Sequence, residues 1–343
     1  MMMVKSWFKF CKQSQFLRNF SNTKSFQEIT IPVPWGQIRG KWWGRTDIRP
    51  ILALHGWQDN CGTFDRLIPL LTDEVGFLAI DLPGHGYSSR LPPGIYYHFI
   101  NYLSTIKYII KYMGWQHISL MSHSLGGIIS YTYTMIYPQT VDVLACIDGT
   151  KPLVDPKRIS YLAKSLDRFT DSIKYISSDK EPPSYTLEEI RQKIHIPNKN
   201  SIALEYTEYI IRRNIAPSKI FPGKYYFTRD PRLKQGALLS FSQRDLIEQA
   251  QQITCPIFMS KSKGAGYYED KNNFYEVLEV LRQSSSDCEY HYVEGTHHVH
   301  LNAPKVLAEL LNKFLERHIT KDRSVGGLKE EMVVQEEQIN IVQ

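Results

Sequence analysis

Short apolar runs recur along the chain, and each stops at a cluster of small or polar residues. Pro50-Ile51-Leu52-Ala53-Leu54 runs into His55-Gly56-Trp57, and Gly76-Phe77-Leu78-Ala79-Ile80 into Asp81-Leu82-Pro83-Gly84-His85-Gly86. His117-Ile118-Ser119-Leu120-Met121 runs into Ser122-His123-Ser124-Leu125-Gly126-Gly127, and a fourth run, 141–147, into Asp148-Gly149. Buried strands separated by helical periods predict a parallel sheet whose terminal loops share one edge. The helical periods lie at 97–112, where Phe99, Leu103, Ile106, Ile110 and Met113 fall on one face, and at 127–137. Upstream, 29–33 and 38–43 flank a Trp35-Gly36-Gln37 turn and predict an antiparallel hairpin. Downstream the pattern predicts strands at 256–260 and 288–293 and helices at 273–281 and 304–319. Between 151 and 250 the helical stretches are broken at Pro182-Pro183, Pro197, Pro217 and Pro222, with no clear parallel-strand run. From 321 the chain is polar and is expected to be loose.

Length and charge narrow the classes. A chain of 343 residues with 42% hydrophobic content can bury a large core and fits one α/β domain with an insertion. The +6 formal charge is uneven. Residues 1–25 carry Lys5, Lys9, Lys12, Arg18 and Lys24 without an acid, and 151–250 hold eighteen Lys/Arg against twelve Asp/Glu. What remains is net acidic, so no continuous basic face supports nucleic-acid binding. The five cysteines lack C-x-x-C spacing, which points to free thiols rather than a disulfide framework or a zinc site. The basic, acid-free and amphipathic start has the composition of a mitochondrial transit peptide, with a disordered tail on a cytoplasmic protein as the alternative. No apolar run reaches the ~18 residues of a membrane span.

The candidate chemistry centres on Ser124. A strand that stops at a serine flanked by tiny residues, with a helix following at once, reads as a nucleophile elbow. The turn is so tight that a large side chain two positions before or after the serine would strike neighbouring backbone. Ser122 stands in the first small slot of G-x-S-x-G and Gly126 in the last.

With His55-Gly56-Trp57, Asp81-x-Pro83-Gly84-His85-Gly86 and Ser122-His123-Ser124-Leu125-Gly126-Gly127 in this order, the sequence resembles the α/β-hydrolase fold superfamily. Val33-Pro34-Trp35-Gly36, Gln58-Asp59-Asn60, Phe64-Asp65-Arg66-Leu67 and Thr228-Arg229-Asp230-Pro231-Arg232-Leu233 make it look more narrowly like the serine hydrolase-like (kraken-type) proteins, over roughly 28–318. The resemblance implies a mostly parallel twisted sheet flanked by helices. Its segments would be a core at 26–150, a helical cap at 151–250, a second core part at 251–320 and a polar tail at 321–343. It also implies the chain order serine, acid, histidine. The resemblance also places the histidine seven residues before the proline that starts the last helix, so among His297, His298 and His300 it is Pro304 that selects His297, with His298 as second choice and His300 packed under the helix start. A metal on this cluster lacks an accompanying Asp/Glu/Cys set, so neither metal nor cofactor is expected.

The acid is open between two places. The loop after the 256–260 strand has no carboxylate until Glu269 and Asp270, whereas Asp148 follows the strand after the elbow helix. A carboxylate there would need a partner, and the histidine offers one; capping the next turn is its bland alternative. Asp81 and Asp59 fit loop-structuring roles. The backbone N–H groups of Leu125 and Trp57 are the expected oxyanion donors, with Gly56 leaving room for the substrate oxygen and His55, Ser122, His123 and Gly126 supporting the loops.

The expected activity is hydrolysis of an ester or thioester through an acyl-Ser124 intermediate. A serine-dependent C–C hydrolase and a silent ligand-binding relative are the alternatives. The expected partner is a small, apolar acyl substrate, and the pattern sets no oligomeric state. Tyr161, Tyr175, Tyr206, Tyr209, Phe221, Tyr225 and Tyr226 line either an acyl pocket or the core of the cap.

Overall fold

The computed structural model describes residues 24–154, 158–176, 180–235, 241–319 and 323–334. The basic segment at the start therefore lies almost wholly outside the described residues. Ten strands are present among the described residues: β1 (Phe26–Val33), β2 (Gly36–Trp43), β3 (Ile51–Leu54), β4 (Phe77–Ile80), β5 (Ile118–His123), β6 (Val141–Ile147), β7 (Ile215–Pro217), β8 (Tyr225–Phe227), β9 (Ile257–Ser262) and β10 (Cys288–Val293). The helices are α1 (Phe99–Met113), α2 (Leu125–Ile136), α3 (Arg158–Ile176), α4 (Leu187–His195), α5 (Thr207–Ile211), α6 (Gln243–Ala250), α7 (Lys271–Ser284), α8 (Val299–Asn302) and α9 (Pro304–His318).

Eight strands form one sheet in the order β1-β2-β4-β3-β5-β6-β9-β10. The β1–β2 hairpin and its junction to β4 are antiparallel, and every pairing from β4 to β10 is parallel. The continuous apolar runs now have a cause: both faces are covered. Leu52, Leu54, Leu144 and Cys146 point to the layer with α1, α2, α6 and α7, while Ile51, Ala53, Val143, Ala145 and Ile147 point to the layer with α9. The α1 stripe departs by one position from the expected one, because Ile109 is buried and Ile110 only packs partly against the core.

Between β6 and β9 the chain builds a separate small core of Ile190, Ile194, Ile202, Ile210 and Ile211 around Leu301. Tyr206, Tyr209 and Tyr225 pack into that core. The interval is not purely helical, since β7 and β8 pair as a short antiparallel ribbon that three-residue apolar segments cannot announce in sequence. Its last helix, α6, belongs to the sheet's layer through Leu246 and Ala250. The expected loose tail also needs correction. Among residues 323–334, Arg323 and Met332 are buried, and the Val334 N–H donates to Glu28 O at 2.9 Å beside β1.

Candidate active site

Parallel pairing puts the ends of β3, β5, β6, β9 and β10 on one edge, and register places the chemistry there. His123 lies opposite Ile147, and Ile147 opposite Ser260, so Ser124 and Asp148 leave adjacent strands at the same height. The Ser124 N–H donates to Ile147 O at 3.1 Å, and the Asp148 N–H to Ser260 O at 2.9 Å. Ser124 has φ 52° and Asp148 φ 45°, left-handed values that cost a non-glycine residue energy unless the surroundings impose them. The surroundings do. A Cβ on Gly126 would strike the carbonyl of Leu54, and one on Gly149 would lie 2.6 Å from Ser124 Cα. Ser122 is fully buried, its Oγ 2.5 Å from Ser130 Oγ, so the hydroxyl in the first small slot is satisfied within the elbow.

The structure brings Ser124, His297 and Asp148 together. His297 Nε2 is 2.8 Å from Ser124 Oγ, and its Nδ1 bonds Asp148 Oδ2. Because a carboxylate accepts, Nδ1 carries the proton and Nε2 presents its lone pair to the serine hydroxyl. Asp148 is also held by Lys261 Nζ at 2.8 Å and the Ser262 N–H at 2.7 Å, both on Oδ1. Burial alone would raise the Asp148 pKa, but the bond and charge of His297, with Lys261, outweigh it and hold it below the usual carboxylate range.

The competing acids are placed elsewhere. Glu269 forms a buried ion pair with Lys151 at 2.6 Å and accepts the Val154 N–H at 2.9 Å, fastening the start of the segment after β6. Asp270 caps α7 through the Asn272 N–H. Asp81 orders its loop by accepting the Cys61 and Tyr87 N–H groups, and it pairs with Arg213. Burial would raise Asp81, yet Arg213 and these bonds keep it at about 2. Asp59 accepts the Asn60 N–H, and burial pushes its pKa up to about 7.

Five other histidines, His55, His85, His123, His298 and His300, are buried. Burial lowers His55 to about 4 and takes His85, His123, His298 and His300 well below the ordinary imidazole value. His55 Nδ1–H donates to Gly56 O at 2.7 Å while its Nε2 accepts the Leu82 N–H at 2.9 Å, pinning the loop after β3 to the loop after β4. In that loop a Cβ on Gly56 would come within 3.3 Å of Ser124 Cβ, so the Trp57 backbone follows immediately beside the serine. Leu125 is the first residue of α2, where backbone N–H groups are unpaired within the helix. His298 does not reach Ser124; it bonds Ser201 Oγ. His300 sits inside the short α8 rather than under a helix start, 2.7 Å from Thr63 Oγ1.

Two exposed aromatics border the site. Tyr268 lies edge-on to His297 with centroids 5.8 Å apart, and the Trp57 indole donates to Leu233 O at 2.7 Å. Sequence reasoning missed Tyr268 and Lys261. The signal for Lys261 was present, since β6 and β9 are neighbours and the strand end that lacked a carboxylate offers the adjacent strand's carboxylate a cation.

A family model described as alpha/beta hydrolase fold matches residues 49–175. A Drosophila melanogaster protein named "Probable serine hydrolase" is 35% identical over 85% of this chain and 88% of its own length. A "Serine hydrolase-like protein" of Danio rerio is 29% identical over 88% of this chain and 92% of its own. Among solved structures, a hypothetical protein from Pseudomonas aeruginosa PAO1 has a TM-score of 0.73 at 26% identity, covering 85% of this chain and 100% of its own.

Proposed function

This chain belongs to the α/β-hydrolase fold family, with serine hydrolase-like proteins among its relatives, and on that premise we propose that it hydrolyses an ester or thioester through an acyl-Ser124 intermediate. The observation that carries the reading is the hydrogen-bonded line from Ser124 Oγ to His297 Nε2, at 2.8 Å, and on from Nδ1 to Asp148. His297 takes the serine proton as Oγ attacks the acyl carbon. The imidazolium then gives that proton to the leaving oxygen or sulfur, and a water activated by the same Nε2 cleaves the acyl-enzyme. Asp148 keeps the tautomer correct and balances the imidazolium. The N–H groups of Leu125 and Trp57 are the donors for the tetrahedral oxyanion, each contributing roughly 3–4 kcal/mol of transition-state stabilisation in comparable sites. Between β6 and β9, the segment with its own small core acts as a cap, and Trp57 and Tyr268 give the mouth an aromatic lining suited to an apolar acyl group.

A fluorophosphonate probe tests the reading. Wild-type protein labels and Ser124→Ala does not; equal labelling of the two would refute it. A panel of acyl esters and acyl-CoA thioesters of increasing chain length then separates the two leaving-group classes.

A further inference from the structure

Immediately behind the triad histidine, three buried side chains from the loop after β3, the end of β5 and the turn before α8 lie close together. They are Asp59, His123 and His298, and one ligand atom of each lies within 4.8 Å of those of the other two. Hydrogen bonding decides which atoms these are. His123 Nε2 lies 2.9 Å from the carbonyl of His297, and a carbonyl only accepts, so Nε2 carries the proton and Nδ1 keeps a bare lone pair. That Nδ1 is buried with no hydrogen-bond partner. Asp59 uses Oδ1 for the Asn60 N–H at 3.0 Å, which leaves its buried Oδ2 equally without a partner. His298 spends Nδ1 on Ser201 Oγ, and its Nε2 faces Asp59 Oδ2 at 3.8 Å.

Two orphaned acceptors side by side are costly in a dry interior, because each lone pair has lost water and gained nothing. A cation supplies what both lack, and His298 Nε2 lies close enough to join them. We propose that Asp59, His123 and His298 form a binding site for a divalent transition-metal ion of the Zn2+ class, with Asp59 Oδ2, His123 Nδ1 and His298 Nε2 as ligands.

The donor set, two imidazoles and one carboxylate with a fourth position open, is one that zinc takes readily. Each ligand already has the outer partner that such sites use to fix tautomer and ring orientation: His297 O for His123, Ser201 Oγ for His298 and the Asn60 N–H for Asp59. Gly56 keeps space beside the His123 nitrogen, since a Cβ there would come within 2.9 Å of Nδ1. Tetrahedral bonds of about 2.1 Å place ligand atoms about 3.4 Å apart, so binding draws the three inward by rotamer-scale shifts. Where hydrolysis is the activity, a net positive charge fixed beside His297 opposes its imidazolium and slows turnover.

The test reads binding rather than activity. Metal-free full-length protein is titrated with Zn2+ by calorimetry and with Co2+ by visible absorption. The expected results are one Zn2+ per chain and a Co2+ spectrum of a four-coordinate site without a thiolate charge-transfer band. Asp59→Asn and His298→Ala should each weaken binding at least tenfold, while His297→Ala retains it. Loss in His297→Ala with retention in Asp59→Asn would place the metal on the triad and overturn the proposal. So would the absence of saturable binding to wild type, a measurement that stands even where a variant does not fold.

Discussion

Asp148 has two donor neighbours, and its two oxygens divide them: Oδ2 serves His297 and Oδ1 serves Lys261. An amide at this position accepts with one atom only and can hold His297 in the wrong tautomer. Asp148→Asn is therefore expected to lower kcat by about 10⁴-fold with the fold retained. Glu269→Gln should leave kcat nearly unchanged but reduce stability, because Lys151 would keep a buried charge without its partner. The assignment of the acid fails if the kinetic effects come out the other way round. Lys261 belongs to the same argument through its sign. Asp148 has a folded pKa below its ordinary value, so the stability it contributes is present above that ordinary value and lost as pH falls through the folded one. Lys261→Met removes a positive charge that lowers the Asp148 pKa, so the Asp148 carboxylate should accept a proton at higher pH. The acid limb of the kcat/KM profile should move upward, and an acid limb unchanged from wild type would show that Lys261 does not tune the pair.

At the scale of elements, strands buried on both faces were legible because nothing but a continuous apolar run survives there, and β6 has the bounds that the pattern predicts; so does β10, a half-buried edge strand of mixed sequence. The elbow was legible for a related reason, as three glycines around Ser124 each meet backbone that a Cβ would strike. Long-range polar pairs were not legible, since no period in sequence links Arg213 to Asp81 and Glu28. Arg213 stands just after α5 and donates to Asp81 Oδ2 at 3.0 and 2.8 Å, joining the segment between β6 and β9 to the loop after β4. All three side chains are largely buried, so this pair holds two layers in register only while both charges remain. Arg213→Met should cost about 3–5 kcal/mol by leaving Asp81 buried and unpaired. Denaturant unfolding measures it, and a midpoint equal to wild type would show that water reaches the loop.

The whole molecule closes at a place where composition misleads. A polar segment after the last helix was expected to hang loose, yet a few apolar residues within it are enough to dock it. Met332 is fully buried in the core that includes Ile29, and Val333 forms an antiparallel bridge to Ile29. This contact lies along β1, the edge strand of the sheet, whose unpaired backbone groups would otherwise offer a template for another chain. Arg323 ties the start of the same segment to the sheet by donating to Arg49 O at 3.0 Å and to Ser119 Oγ. The tail thus guards an edge while leaving the edge that carries Ser124 untouched, and its loss should appear in stability and association rather than in chemistry. Met332→Ala should destabilise the protein by about 2–5 kcal/mol through the cavity it leaves. It should also raise concentration-dependent association as β1 is uncovered. Glu330→Ala, on the exposed side of the same turn, should change neither. Unfolding midpoints and sedimentation of the two variants decide the matter: a Met332→Ala protein as stable and as monodisperse as Glu330→Ala would mean that the tail's docking contributes nothing to the fold.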